Sequence, residues 1–115
     1  LSGQYLSRLI ERMRKQNYKI ELVYLFLENP EMCVERIKER VLKGGHHVPD
    51  DVVRRRYHKS KQNFWNVYKN FSDRWYLVYN SKQEFTEIAL GMKHDYVVNN
   101  LPLFDKFCDG TAIGA

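Results

Sequence analysis

The run YKIELVYLFL, Tyr18 to Leu27, constrains this chain more than any other stretch. Its first half alternates, and Val23 to Leu27 is apolar without a break, which predicts a β-strand covered on both faces. On either side the periodicity is that of helices. Residues 2–16 place Leu6, Leu9, Ile10 and Met13 on one stripe, with Arg8, Glu11, Arg12 and Arg14 largely between them, and Asn17 suits a C-terminal stop. Downstream, Asn29-Pro30-Glu31 supplies a capping side chain, a proline at the first helical position and an acid in the first turn. The helix it opens should bury Cys33, Val34, Ile37, Val41 and Leu42 and wet Arg36, Lys38, Glu39 and Arg40. A helix-strand-helix order around such a strand predicts an α/β layer architecture with parallel pairing. Few other segments offer themselves as its neighbours.

Gly44 and Gly45 end the second helix, since glycine accepts the left-handed conformation at low steric cost. Pro49 restarts a helix, with Asp50 and Asp51 favourable to the dipole in its first turn. That helix is expected to run to about Phe71. Val53, Tyr57, Ser60, Phe64, Val67, Tyr68 and Phe71 share one face, and Arg54, Arg55, Lys59, Lys61 and Gln62 lie mostly on the others. Arg74 to Tyr79 then reads as a strand, Asn80 to Gln83 as a polar turn and Phe85 to Leu90 as a second strand, a hairpin in all. Past Gly91 the pattern weakens, with a short helix over Pro102 to Cys108 and a loose GTAIGA end.

At 115 residues, 43% hydrophobic and 14% aromatic, the chain has the make-up of one folded domain. No apolar run approaches the roughly eighteen residues of a membrane span. Two cysteines, Cys33 and Cys108, are too few for a disulfide framework and predict reduced thiols in a cytoplasmic protein. The chain opens at Leu1, without an initiator methionine, on the start of a helix, as a piece of a longer protein would.

The formal charge of +5 is local. Between Lys43 and Asn63 stand six basic residues (Lys43, Arg54, Arg55, Arg56, Lys59, Lys61) and two acids (Asp50, Asp51), whereas residues 1–42 and 62–115 are nearly neutral. Fixed cations on a helix behind a glycine hinge suit a device that meets an anion, above all a phosphate. Arg55 and Lys59, four apart, share one row; Arg56, Ser60 and Asn63 share another. The plain alternative is a solvated face with Asp50, Asp51 and nearby acids as partners. His46, His47, His58 and Cys33 match no closed zinc spacing, so no metal site is expected, and His46 is expected to cap the preceding helix or bond within the loop. Trp65, Tyr68 and Trp75 could stack bases, but their helical spacing favours core packing. No nucleophile-base pair stands out, and neither G-x-x-x-x-G-K-[ST] nor G-x-G-x-x-G occurs. A phosphate-facing lid without a phosphate cradle looks like half an enzyme.

The series LSG…YL..I (Leu1 to Ile10), YKIELVYLFLENPEMCVERIKERV, GGHHVPDDVVRRRY, Asn63 and DRWYLVYNS (Asp73 to Ser81) resembles the zeta-toxin-like P-loop kinases. Within them it is most similar to bacterial proteins often labelled predicted ABC-type ATPases. The resemblance spans roughly residues 1–91, with the lid at 44–63, and leaves 92–115 as a poorly matched tail. Lys59 stands where the family usually has arginine, and Lys61 where it usually has leucine. The resemblance implies the C-terminal part of a P-loop kinase-like parallel-sheet fold: helix-strand-helix, lid and long helix, then a strand pair. It implies a parent kinase that moves the γ-phosphoryl of ATP, with Mg²⁺, onto a small hydroxyl acceptor, in true zeta toxins a UDP-N-acetylamino sugar. Arg55 and Arg56 match the lid arginines that contact ATP phosphates; Lys59 and Arg54 would assist, and His46 and Pro49 would shape the lid. The Walker A loop and the activating acid would lie upstream of Leu1. This piece alone is then expected to be inactive, to hold no ATP or Mg²⁺ tightly and to self-associate through open strand edges.

Two other classes fit the same residues. A nucleic-acid module would lay the helix from Pro49 to Lys61 on a backbone, with a steep salt dependence, but its basic footprint is small. A non-catalytic interaction domain would tolerate replacement of all three arginines.

Overall fold

The computed structural model describes residues 5–27, 29–80, 84–92 and 95–109. It is a mixed α/β fold in which a four-stranded sheet of order β1-β2-β3-β4 carries helices on one face. The first helix, α1 (Tyr5–Lys15), ends in a tight C-terminal motif: Tyr18 N–H reaches the Met13 carbonyl, Asn17 N–H reaches that of Arg14, and Asn17 takes φ 64°. β1 (Glu21–Phe26) follows, shorter than the apolar run suggests.

β1 pairs in parallel with β2 (Arg74–Asn80), from Glu21 opposite Arg74 to Phe26 opposite Tyr79. Asp73 fixes the start of that register, its carboxylate accepting from Ile20 N–H at 2.7 Å while its own N–H donates to the Ile20 carbonyl at 2.8 Å. β3 (Phe85–Met92) returns antiparallel, with a bulge opposite Leu77/Val78 that turns both Ile88 and Ala89 inward. The expected hairpin is therefore present. A further strand, β4 (Asp95–Val98), pairs with β3 and went unread in the sequence.

Between β1 and β2 lie α2 (Pro30–Leu42), capped by the Asn29 side chain on Met32 N–H, and α3 (Asp50–Asn63). A π-helical turn, Phe64–Tyr68, and the short α4 (Lys69–Phe71) continue α3 to the expected end at Phe71. The wider turn rotates the buried stripe, so that Trp65 and Lys69 go inside and Val67 out. Lys61, expected on the wet side, is 2% exposed instead. Trp65, Tyr68 and Trp75 are core residues: Trp65 packs edge-on with Trp75, Tyr96 and Phe104, and Tyr68 packs with Ile10 and Ile20 in a second cluster, which leaves none of them open to a base. α5 (Leu101–Cys108), capped by Asn100, inserts Phe107 against Phe26 and Phe64, so residues 95–109 belong to the same core.

Two further expectations fail: Leu42, assigned to the buried stripe of α2, is 88% exposed, and β1 lacks a cover on one face. β1 was read as covered on both faces, yet Leu22, Tyr24 and Phe26 pack on the helices while Val23 and Leu25 stay 57% and 49% exposed. The sheet's other face carries only side chains among the described residues, and β1 is its edge, with β2 as neighbour. Residues 81–83 of the predicted turn and the GTAIGA end fall outside the described residues.

Candidate functional site

α2 does not stop at a floppy joint. Gly44 takes φ 93°, Gly45 N–H donates to the Arg40 carbonyl at 2.7 Å, and a Cβ on Gly45 would lie 2.8 Å from that oxygen. Both glycines are needed to close the cap. The extended residues 45–49 that follow are mostly exposed, and Pro49 caps α3 through its carbonyl alone. His46 is exposed and bonds to nothing among the described residues, so it neither caps α2 nor braces the loop. Lys38 and Asp50, 4.0 Å apart, link the two helices across it.

The three arginines meet different fates. Arg54 forms a two-pronged pair with Glu31, Nε to Oε1 at 2.6 Å and an Nη to Oε2 at 3.0 Å, which ties α3 to the first turn of α2. That hydrogen bond holds the Glu31 carboxyl below its usual range and the guanidinium above its own. Glu31 is thus the acid that pairs directly with Arg54, while Asp50 and Asp51 act on it only through space. Arg55 and Arg56 are exposed and have no ion pair or hydrogen bond among the described residues; the same holds for Lys59.

Arg56 and Ser60, read as one row, line a cavity of about 340 Å³ between the C-terminal end of β1, α2 and α3, together with Leu27, Cys33, Ile37, Val48 and Val53. Most of its wall is apolar. Tyr24 and Ser60 bridge its base at 3.1 Å, and because the Ser60 hydroxyl also bonds the Tyr57 carbonyl at 3.1 Å, it accepts from Tyr24. Burial pushes the Tyr24 hydroxyl up to about 12, and burial likewise pushes the Cys33 thiol up. Both remain protonated at neutral pH. Tyr57 donates to the Leu27 carbonyl at 2.5 Å, fixing where β1 ends and the cavity begins.

Tyr24 and Cys33 belong to the site but read in the sequence as strand and helix packing. The one available signal was a hydroxyl-bearing tyrosine inside the otherwise apolar run Val23 to Leu27. Among the described residues no group of three His, Cys, Asp or Glu gathers as it would around a metal, and no helix is long and apolar enough to cross a membrane.

These features define a class: a mixed α/β chain in which Arg55 and Arg56 on α3 have no partner among the described residues and Arg56 lines an apolar cavity beside the carboxyl end of a parallel strand. No family model matches the chain and no solved structure matches it. An uncharacterized protein of Haemophilus influenzae (strain Rd) is 32% identical over 57 residues, 50% of this chain and 41% of that protein. The chain therefore covers less than half the length of this curated relative.

Proposed function

We propose that this chain is the lid-bearing part of a P-loop-type, ATP-dependent small-molecule kinase whose phosphate-binding loop is supplied from outside these residues. The observation that carries the reading is the division of labour within Arg54-Arg55-Arg56. Glu31 anchors Arg54, while Arg55 and Arg56 stand on the same helix with no acid partner among the described residues. Two such guanidiniums fit the oxygens of a triphosphate, which they meet through paired N–H donors.

In phosphoryl transfer the moving group carries negative charge spread over its oxygens, so catalysis is mostly positioning and charge stabilisation. Arg55 and Arg56 supply that charge, with Lys59 one turn beyond Arg55. The Arg54–Glu31 and Lys38–Asp50 pairs tie α3 to α2 across residues 45–49, so α2 and α3 would move together as one lid. Mg²⁺ bound with ATP would neutralise the β- and γ-oxygens. The acceptor is a hydroxyl compound, with a UDP-amino sugar as the resemblance suggests. ATP should touch this chain alone only weakly.

Titrating the 115-residue chain with Mg·ATP, followed by amide NMR, tests the site. The expected result is a dissociation constant of about a millimolar or weaker, with shifts centred on Arg55 and Arg56 that fade with salt. Shifts that survive the double substitution Arg55→Ala, Arg56→Ala, or that centre elsewhere, would overturn the assignment.

A further inference from the structure

The cavity beside β1 carries chemistry that gripping a triphosphate does not need. Its volume of about 340 Å³ falls in the range of small-molecule sites. Leu27, Ile37 and Val53 give it apolar walls, and the Tyr24–Ser60 pair gives it one fixed polar bridge. Among the described residues no carboxylate lines it, and Arg56, which has no partner there, is its one charged side chain. A nucleotide sugar, rich in hydroxyls and amides, would leave most of its polar groups unmatched against such walls, at a cost for each.

We propose that this cavity binds a small compound with a compact apolar body and a single anionic group, the body against Leu27, Ile37 and Val53 and the anion on Arg56. The guanidinium's five N–H donors let it serve that anion on its inner side and a phosphoryl oxygen on its outer side. Calling this compound the phosphoryl acceptor rests on the kinase reading and requires that it also carry a hydroxyl, whose oxygen takes the phosphoryl group and gives up its proton. The compound's binding rests on neither, and it shifts the expected acceptor away from a UDP-amino sugar toward something more apolar.

The test uses the whole 115-residue chain and amide NMR, without ATP, with three probes: 1-naphthyl phosphate, 1-naphthoate and uncharged 1-naphthol. At least one anion is expected to shift Cys33, Ile37, Val53 and Arg56 and to bind about tenfold or more tightly than naphthol, the worth of a charge-assisted contact. Which anion does so tells a phosphate from a carboxylate ligand. Arg56→Gln, a change at an exposed residue, should erase the preference for charge, and Lys43→Gln, away from the cavity, should keep it. Equal binding of naphthol, shifts centred on Met92 and Val97 of the open sheet face, or no shift at all would overturn the proposal. So would Mg·ATP shifting Cys33, Ile37 and Val53 where neither naphthalene anion does, since the cavity would then be a nucleotide seat. Loss of the naphthalene binding with the ATP shifts at Arg55 and Arg56 intact would leave the lid standing and remove only the cavity's occupant.

Discussion

Lys61 is held inside the fold with its Nζ 5.2 to 5.3 Å from the ring centres of Phe26, Tyr57 and Phe107. Three aromatic faces return part of what the ammonium loses on leaving water. They do not return all of it. Burial depresses the Lys61 ammonium below the usual lysine value of 10.5, while Cys108 and Asp109 pull the other way. The sign follows from which state binds the proton better. Below the depressed value both states are charged and the folded one bears the whole penalty; as pH climbs from there toward 10.5 the folded chain sheds the proton first and gains stability. Urea unfolding should therefore show stability rising over that window in the wild type. Lys61→Met should lack the rise and be more stable at neutral pH by on the order of 1 kcal/mol. A lysine beside Arg54, Arg55, Arg56 and Lys59 reads as surface in any sequence, because burial at this position is decided by rings that arrive from β1 and α5.

The segments that position the arginines were legible because their signals are local. Asn29-Pro30 starts α2, Gly44-Gly45 stops it and Asp50-Asp51 opens α3, each through groups within a few residues. Gly44→Ala must place a side chain at φ 93°, and Gly45→Ala must push a methyl to 2.8 Å from the Arg40 carbonyl. Each should cost about 1 kcal/mol or more by thermal unfolding, with the larger effect wherever the backbone cannot yield. The π-helical turn at Phe64–Tyr68 was not legible, since it follows from fitting Trp65 among Trp75, Tyr96 and Phe104, residues distant in the chain. β4 escaped for a similar reason: Asp95 to Val98 is four residues long and earns its strand from β3. The cavity needs α2, α3 and β1 together, so only its Arg56–Ser60 row was visible beforehand.

Taken whole, the molecule has a large core and a smaller cluster of Ile10, Ile20 and Tyr68 on one face of the sheet, and among the described residues nothing packs on the other. Phe107 is fully buried against Phe26 and Phe64, so the last helix is structural although it lies in the tail that the family resemblance leaves poorly matched. Phe107→Ala should destabilise the chain by about 3–5 kcal/mol in urea, enough to approach the whole stability of a domain this size. The continuous apolar run of β1 was correctly read as a strand with a parallel neighbour and wrongly read as doubly covered. Composition cannot tell a covered apolar face from a bare one. Val23, Leu25, Met92 and Val97 all stand 49% to 62% exposed on that face, beside a β1 edge that no described strand covers. The chain should accordingly self-associate with rising concentration, and Met92→Glu with Val97→Glu should return it toward monomer in sedimentation velocity.

The decisive experiment is steady-state phosphoryl transfer from ATP by the full-length gene product, comparing wild type with Arg55→Ala, Arg56→Ala and Arg54→Ala. A lid that stabilises the transferring group requires kcat to fall roughly tenfold to a thousandfold for Arg55 and Arg56, with a smaller loss for Arg54, whose charge Glu31 already engages. Unchanged kcat at both Arg55 and Arg56 would contradict it.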